Sequence, residues 1–227
     1  ESVTVTTAGS GITAVGNIIA NADNTITVNG VIQSTSGSVA LTVAEGGDAV
    51  GTIAVAANII GDDVTITASD AQAGTAVINV TSVLNNNRGG YTFEASDGTL
   101  NIDSNITGQD FVALNGSTAI TLAANLTATD NDITVNDALT LDGDSTVTST
   151  SGDITFSSTI DSTGTTRALT LNADAEGTIT LGDALGTGFA LKSLTVSAGT
   201  LNIASNISTD AGAVSGTVDF SEVNAVV

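Results

Sequence analysis

The chain has 227 residues, of which 24 are acidic and only 3 are basic, so its formal net charge is −21 at pH 7. That charge disfavours nucleic acid and anionic membrane surfaces as partners, because both are bound through clustered Lys and Arg. The absence of His and Cys excludes the commonest general base and the usual nucleophile pairs, and no apolar run is long enough to span a membrane as a helix.

Short β-strands are predicted along the whole chain, because triplets of an apolar residue, Thr and a second apolar residue recur. Alternation with a period of two puts the aliphatic side chains on one face of a strand and Thr on the other. In chain order the triplets are Val3-Thr4-Val5, Ile26-Thr27-Val28, Leu41-Thr42-Val43, Val64-Thr65-Ile66, Ile133-Thr134-Val135, Leu139-Thr140-Leu141, Ile154-Thr155-Phe156, Leu169-Thr170-Leu171, Ile179-Thr180-Leu181 and Leu194-Thr195-Val196. No helical stripe is found and Pro is absent, so the sequence predicts an all-β fold with essentially no helix.

A longer apolar spacing recurs nine times: a large apolar residue, another two positions later and a third four positions after that. The copies begin at Ile12, Ile26, Ile53, Leu100, Ile120, Ile133, Ile154, Ile179 and Leu201. Successive starts are 14, 27, 47, 20, 13, 21, 25 and 22 residues apart, which indicates a repeat of about 20 residues with gaps. A unit of that length cannot bury its own apolar face, so it must stack on copies of itself.

Two architectures of short strands are compatible with the repeat, an antiparallel β-sandwich and a parallel β-helix. In each of the four clearest copies, those from Ile53, Leu100, Ile120 and Leu201, Asn directly precedes the third apolar residue. A bend between two strands of one coil explains that fixed position, whereas a sandwich does not. We therefore predict a single right-handed parallel β-helix, or β-solenoid, over residues 1–227, with about ten or eleven coils, roughly 50 Å long.

The least regular part of the repeat lies around residues 67–99, where we expect a disturbed coil or a loop insertion. The core is expected to be built from the apolar residues of the four clearest copies. These residues are Ile53, Val55, Ile59, Leu100, Ile102, Ile106, Ile120, Leu122, Leu126, Leu201, Ile203 and Ile207.

The recurring Asn residues, Asn58, Asn105, Asn125 and Asn206, are predicted to form a structural ladder. Asn tolerates left-handed backbone geometry at a bend, and its amide can bond to the neighbouring coil. Three of these residues, all but Asn58, also begin Asn-x-Ser/Thr sequons for glycosylation. Side chains buried in a ladder could not be glycosylated, so we prefer the structural interpretation.

Paired carboxylates in the turns are weak candidates for binding Ca²⁺. The pairs are Asp130 with Asp132 and Asp142 with Asp144. Ca²⁺ takes about six to eight oxygen ligands, and each turn supplies three side-chain ligands or fewer. Solvated turn acids are therefore the default interpretation. No other cofactor and no catalytic residue is predicted, and we expect that the protein is not an enzyme.

The stretch from Gly152 to Phe220 resembles filamentous-haemagglutinin-type repeats of large secreted bacterial surface proteins. The resemblance rests on Gly-Asp-Ile-Thr-Phe at 152–156, Ala-Leu-Thr-Leu-Asn-Ala at 168–173 and Leu-Lys-Ser-Leu-Thr-Val-Ser-Ala-Gly-Thr-Leu at 191–201, and it extends more weakly over the whole chain. It implies a right-handed parallel β-helix, export from the cell, and a role in surface structure or adhesion.

The expected function is that of a non-catalytic extracellular structural protein: a rigid acidic rod in a cell-surface fibre or adhesin. One variant is a filament subunit that joins end to end through its terminal strands, which contain Val3, Val5, Val218 and Phe220. The expected partners are copies of itself, neighbouring repeats of a larger chain, or surface glycans, without nucleic acid and without membrane insertion. The alternative function is a carbohydrate-binding or carbohydrate-processing β-helix, which would need aromatic residues beside paired acids.

Overall fold

The structure is a computed structural model that describes residues 1–5, 11–45, 50–70, 75–210 and 216–227. The described residues form 26 β-strands and contain no helix. Every pair of neighbouring strands is parallel, and most partners lie one turn of chain apart. The protein is therefore a parallel β-solenoid, which confirms the predicted fold class.

Each turn of the solenoid has three sides, which we call face A, face B and face C in the order in which the chain visits them. Face A contains β1 (Ser2–Val5), β4 (Thr25–Val28), β7 (Thr52–Val55), β10 (Ala76–Val80), β13 (Gly98–Ile102), β16 (Ala119–Leu122), β19 (Leu139–Leu141) and β22 (Ile160–Ser162). Face B contains β2 (Ile12–Ala14), β5 (Ile32–Ser34), β8 (Ile59–Ile60), β11 (Leu84–Asn86), β14 (Ile106–Gly108), β17 (Leu126–Ala128), β20 (Ser145–Ser149) and β23 (Ala168–Asn172).

Face C contains β3 (Ile18–Ala22), β6 (Val39–Glu45), β9 (Asp63–Asp70), β12 (Gly90–Ser96), β15 (Val112–Gly116), β18 (Ile133–Val135), β21 (Ile154–Phe156) and β24 (Thr178–Leu181). The last two strands, β25 (Ser193–Ile203) and β26 (Thr217–Val226), each run from face B into face C. On face A the column continues past β22 as single bridges at Leu185 and Ile207. We name the bends between faces the AB, BC and CA corners.

The solenoid has about nine turns rather than the ten or eleven expected. Residues aligned on face A are between 19 and 27 residues apart: the step is 19 from Ile120 to Leu139 and 27 from Ile26 to Ile53. The strands stay in register across these steps, so the additional residues of the longer turns lie at the corners. At about 4.8 Å per turn the described body is about 43 Å long.

The recurring apolar spacing marks corners of the solenoid, but not always the same corner. Four copies, those from Ile26, Ile53, Leu100 and Ile120, run from face A to face B. Those from Ile133, Ile154, Ile179 and Leu201 run from face C to face A, and the copy from Ile12 runs from face B to face C. The irregular intervals in the sequence therefore come from mixing corners of one regular turn.

On faces A and C the described part of the stretch 67–99 continues the ladders, whereas on face B no strand pairing joins β8 to β11 among the described residues. β10 pairs in register with both β7 and β13, and β12 pairs in register with β9 and β15. Residues 71–74 lie outside the described residues. Ile78, Val80 and Leu84 form a further copy of the apolar spacing, on β10 and β11. On face A this turn spans 25 residues, from Ile53 to Ile78. The expectation of a less regular coil or loop insertion around 67–99 stays a prediction.

The core consists of columns of aliphatic side chains stacked from turn to turn. Ten of the twelve predicted core residues are fully buried, and the two others, Ile203 and Ile207, are partly buried. These two belong to the last turn, where less of the chain covers them. Three aromatic side chains, Tyr91, Phe93 and Phe156, also lie in the core beside the aliphatic residues.

Tyr91 is the single tyrosine of the chain and is fully buried on β12. Its ring stacks on that of Phe93 with 5.7 Å between the centroids, and its hydroxyl donates a hydrogen bond to the backbone oxygen of Ile59 at 2.7 Å. Burial raises the pKa of the Tyr91 phenol far above its ordinary value.

We expect that Tyr91 does not ionise in the folded protein. An unfolded chain ionises its tyrosine near pH 10, so the stability that this raised pKa contributes is present below about pH 10 and is lost as the pH rises further. In an alkaline titration, phenolate absorbance should therefore appear together with the loss of the β-sheet circular dichroism signal. Phenolate formation near pH 10 with an unchanged β-sheet signal would contradict the burial of Tyr91.

Gly98 begins β13 where two turns come very close. A Cβ atom at this position would lie 2.0 Å from the backbone oxygen of Ala76, its aligned partner on β10. We expect that Gly98→Ala lowers the free energy of unfolding by about 1–3 kcal/mol, because the backbone must move apart. Gly164→Ala is the control, since no atom lies within 4 Å of the Cβ it would add. Equal thermal midpoints for the two variants would show that the close approach is not essential.

Candidate functional site

The AB corner holds three of the four predicted ladder residues. The side-chain oxygen of Asn105 accepts the backbone N–H of Asn125 at 2.9 Å, and that of Asn125 accepts the N–H of Thr146 at 2.8 Å. Asn58 bonds to Asn85 with both ends of its amide, at 2.8 and 3.0 Å. Each side chain thus joins its own turn to the next one.

The same bond is made by residues that the sequence analysis did not select, including aspartates. At the BC corner the Oδ1 atoms of Asp132 and Asp153 accept the backbone N–H of Asp153 and Thr178, at 2.8 and 2.7 Å. Asp144 accepts the N–H of Ala168 at 2.9 Å at the AB corner. The signal in the sequence is Asn or Asp directly before the first inward residue of a strand, since both carry an oxygen on Cγ.

We expect that Asp132→Ala lowers the free energy of unfolding by about 0.5–1.5 kcal/mol, because one hydrogen bond between turns is lost. Asp132→Asn should change it by less than about 0.5 kcal/mol, since the amide oxygen can accept the same N–H. Chemical denaturation of both variants measures the difference. If the two losses were equal, the negative charge and not the hydrogen bond would be the contribution of Asp132.

Asn206 lies at the CA corner instead, and its backbone oxygen accepts the N–H of Leu185 at 2.9 Å. Asn105, Asn125 and Asn206 are exposed, contrary to the expectation that ladder residues are buried. The side chains make their bonds at the outer edge of the corner, where the chain bends away from the core. Burial is therefore not a reason to exclude the sequons at these three positions.

The two Asp pairs lie at different corners, and each of the four carboxylates accepts a hydrogen bond. At the BC corner, Asp130 accepts a hydrogen bond from Nε2 of Gln109 at 3.3 Å, and Asp132 accepts the backbone N–H of Asp153. Asp142, at the AB corner with Asp144, accepts the hydroxyl of Thr163 at 2.8 Å and lies 3.8 Å from a guanidinium nitrogen of Arg167. Among the described residues no group of three or more acidic side chains has the arrangement of a metal site.

Charge is concentrated at the corners and on face C, where β9 and β12 contain Asp63, Asp70 and Glu94, while faces A and B are nearly neutral. The strands of faces A and B that precede β26 contain one charged residue, Asp161, and their outward side chains are mostly Thr, Ser, Asn and Ala. The BC corner is the most acidic, with Asp62, Asp63, Asp110, Asp130, Asp132, Asp153, Asp174 and Glu176. Arg88 forms an ion pair with Asp62 at this corner, and the other acidic residues keep the corner strongly negative.

Two shallow grooves are open on this surface. The larger, of about 470 Å³, is lined by polar side chains that include Glu94, Asp97 and Asp137. The smaller, of about 270 Å³, is lined by Asn85, Asn86, Asn87, Thr107, Gln109, Thr129 and Asp130. Neither lining includes an aromatic residue, and Phe189 is the one aromatic side chain that is more than half exposed. The aromatic platform that the carbohydrate alternative needs is not formed at either groove.

The predicted self-association residues lie at the two ends of the solenoid. Val3 and Val5 point inward on β1, where Val5 is buried and Val3 partly buried. Val218 and Phe220 lie on β26 at the other end, and Val218 is 45 % exposed. The structure thus separates the two sets by the whole length of the body, at opposite ends.

No known protein family, curated protein or solved structure matches this chain. Within the described ranges no helix exists that could cross a membrane.

Proposed function

We propose that the protein is a non-catalytic structural component of a cell-surface fibre or adhesin, in which the solenoid acts as a rigid acidic spacer. The observation that carries the proposal is the pair of parallel ladders on faces A and C, which continue over about nine turns, with polar bonds between turns at the corners. Such a ladder ties each turn to its neighbours by backbone hydrogen bonds, which makes the body stiff along its axis.

The distribution of charge supports the same role. From Asp62 onward acidic residues recur at the corners of successive turns, so parallel rods repel one another at ordinary ionic strength. Faces A and B, whose outward residues are small and nearly all uncharged, offer few groups that could hold a substrate. The resemblance of residues 152–220 to filamentous-haemagglutinin-type repeats supports an extracellular location.

Immunogold electron microscopy on intact source cells tests this proposal. An antibody raised against the folded chain should label structures outside the cell surface, before any permeabilisation. Labelling that appears only after permeabilisation would overturn the extracellular role. Turnover of a polysaccharide by the purified chain would overturn the non-catalytic role and favour the carbohydrate alternative.

A further inference from the structure

The Asn ladder at the AB corner uses the two ends of the side-chain amide differently. The Oδ1 atoms of Asn105 and Asn125 accept a backbone N–H of the next turn, at 2.9 and 2.8 Å. Neither Nδ2 atom donates a hydrogen bond to any of the residues that the structure describes. At Asn58, by contrast, Nδ2 donates to the backbone oxygen of Asn85 at 3.0 Å. The ladder therefore needs the oxygen of Asn105 and Asn125 and leaves their nitrogen free.

Both free amide nitrogens belong to exposed residues that begin an Asn-x-Thr sequon. Asn105 and Asn125 each stand directly before the fully buried first residue of a strand, β14 or β17. Because successive side chains of a strand alternate between its two faces, the Thr two positions after each Asn points to the same outer side. These residues, Thr107 and Thr127, are partly exposed. The amide and the hydroxyl of each sequon are therefore both accessible from solvent.

Asn105 and Asn125 lie in the middle of the solenoid, with a neighbouring turn on either side. β14, which follows Asn105, pairs with β11 and β17, and β17, which follows Asn125, pairs with β14 and β20. Asn206, whose sequon is also exposed, lies instead on the last turn. The exposure of Asn105 and Asn125 therefore comes from the corner itself, where the chain bends away from the core.

Two further sequons have the same motif in a different setting. Asn79 and Asn115 lie inside strands, β10 on face A and β15 on face C, and both are partly buried. The Oδ1 atom of each accepts a hydrogen bond from the Nδ2 of an Asn one turn later, Asn101 or Asn136. An acceptor for glycosylation lies in a surface loop or bend, whereas a central strand is held on both sides by its ladder. Asn79 and Asn115 thus have the motif without the accessible bend.

We infer that Asn105 and Asn125 are N-glycosylated, which goes beyond the proposed structural role. The donor is a sugar carried on a diphosphate, and a glycosyltransferase supplies the base. A bond forms between Nδ2 and C1 of the sugar, and the bond between C1 and the diphosphate oxygen breaks. The diphosphate leaves with the bonding electron pair, and one amide proton passes to the base, so nothing is oxidised or reduced. The amide oxygen is untouched, so the hydrogen bond to the next turn remains after modification.

Mass spectrometry of the chain purified from its source cells tests this inference. A protease that cuts after Asp and Glu places Asn105 in one peptide and Asn115 with Asn125 in the next, where fragmentation of the peptide separates the two. The mass of one or more sugar residues should be found on Asn105 and Asn125 and on neither Asn79 nor Asn115. Unmodified Asn105 and Asn125 would overturn the inference, and so would equal modification of all four residues.

Two variants of the same outward residue, expressed in the source cells, test the role of the sequon. Thr107→Val keeps the shape of the side chain without its hydroxyl, so the sugar on Asn105 should be lost while the thermal midpoint and the sugar on Asn125 remain. Thr107→Ser keeps the hydroxyl and should keep the sugar. A sugar retained on Asn105 in Thr107→Val would overturn the inference. The measurement is a mass on a side chain, so its outcome is independent of where immunogold labelling locates the chain.

Discussion

Ile102→Asp is expected to open the middle of the solenoid. Ile102 is fully buried on β13, and the aligned residues of its column in the adjacent turns are Val80 and Leu122, both also fully buried. An ionised carboxylate at this position would have neither water nor a cationic partner, so the free energy of unfolding should fall by at least about 4 kcal/mol.

The loss should depend on pH in a defined direction. Burial would raise the pKa of the introduced carboxyl above its value of about 3.9 in an unfolded chain. The folded variant is therefore most stable below about pH 4 and loses stability as the pH rises toward neutrality. Comparison of its thermal midpoint at acid and neutral pH, each relative to the original chain, measures this effect.

Hydrogen exchange shows where the solenoid opens. Each turn contacts only its neighbours, so protection should be lost first in β10, β13 and β16 and last at distant turns. Thr121→Asp is the control, because Thr121 points outward on β16 and is partly exposed. An Ile102→Asp variant as stable as this control would show that the column through Ile102 does not form the core.

The fold could be predicted from the sequence because a solenoid repeats one local pattern. Within seven residues the pattern predicts a strand at Leu100 and Ile102, a bend, and a second strand that begins at Ile106. The number of turns was predicted less accurately than the fold class, because the same apolar spacing occurs at different corners. The interval of 13 residues from Ile120 to Ile133 is two sides of one turn, whereas that from Leu100 to Ile120 is a whole turn.

The corner bonds were predictable only in part. Asn105 and Asn125 can be recognised in the sequence because Asn recurs before an aliphatic residue. Asp132 and Asp153 form the same hydrogen bond to the next turn, but in the sequence they cannot be distinguished from solvated turn acids. Structural and solvated Asp residues are distinguished by the alignment between turns, because a structural Asp accepts a backbone N–H of the next turn. That alignment depends on the number of residues at each corner, and nothing in the sequence indicates how this number varies from turn to turn.

Asn86 was not selected from the sequence, although it is a fully buried polar side chain at the end of β11. Its Oδ1 accepts the N–H of Gly61 at 3.2 Å and that of Arg88 at 3.3 Å, and its Nδ2 donates to the backbone oxygen of Gly90 at 3.2 Å. The same corner position holds Gly61 in the turn before and Gly108 in the turn after.

We expect that Asn86→Leu lowers the free energy of unfolding by about 2–5 kcal/mol. Leu has a similar volume but cannot bond, so the N–H of Gly61 would stay buried without a partner, at about 1–3 kcal/mol, and the bonds to Arg88 and Gly90 would be lost, at about 0.5–1.5 kcal/mol each. Chemical denaturation measures the loss. Asn85→Leu is the control, since Asn85 is the exposed neighbour and its backbone, rather than its side chain, bonds to Asn58. If both variants were equally stable, the BC corner would be held by backbone pairing alone and Asn86 would only fill space.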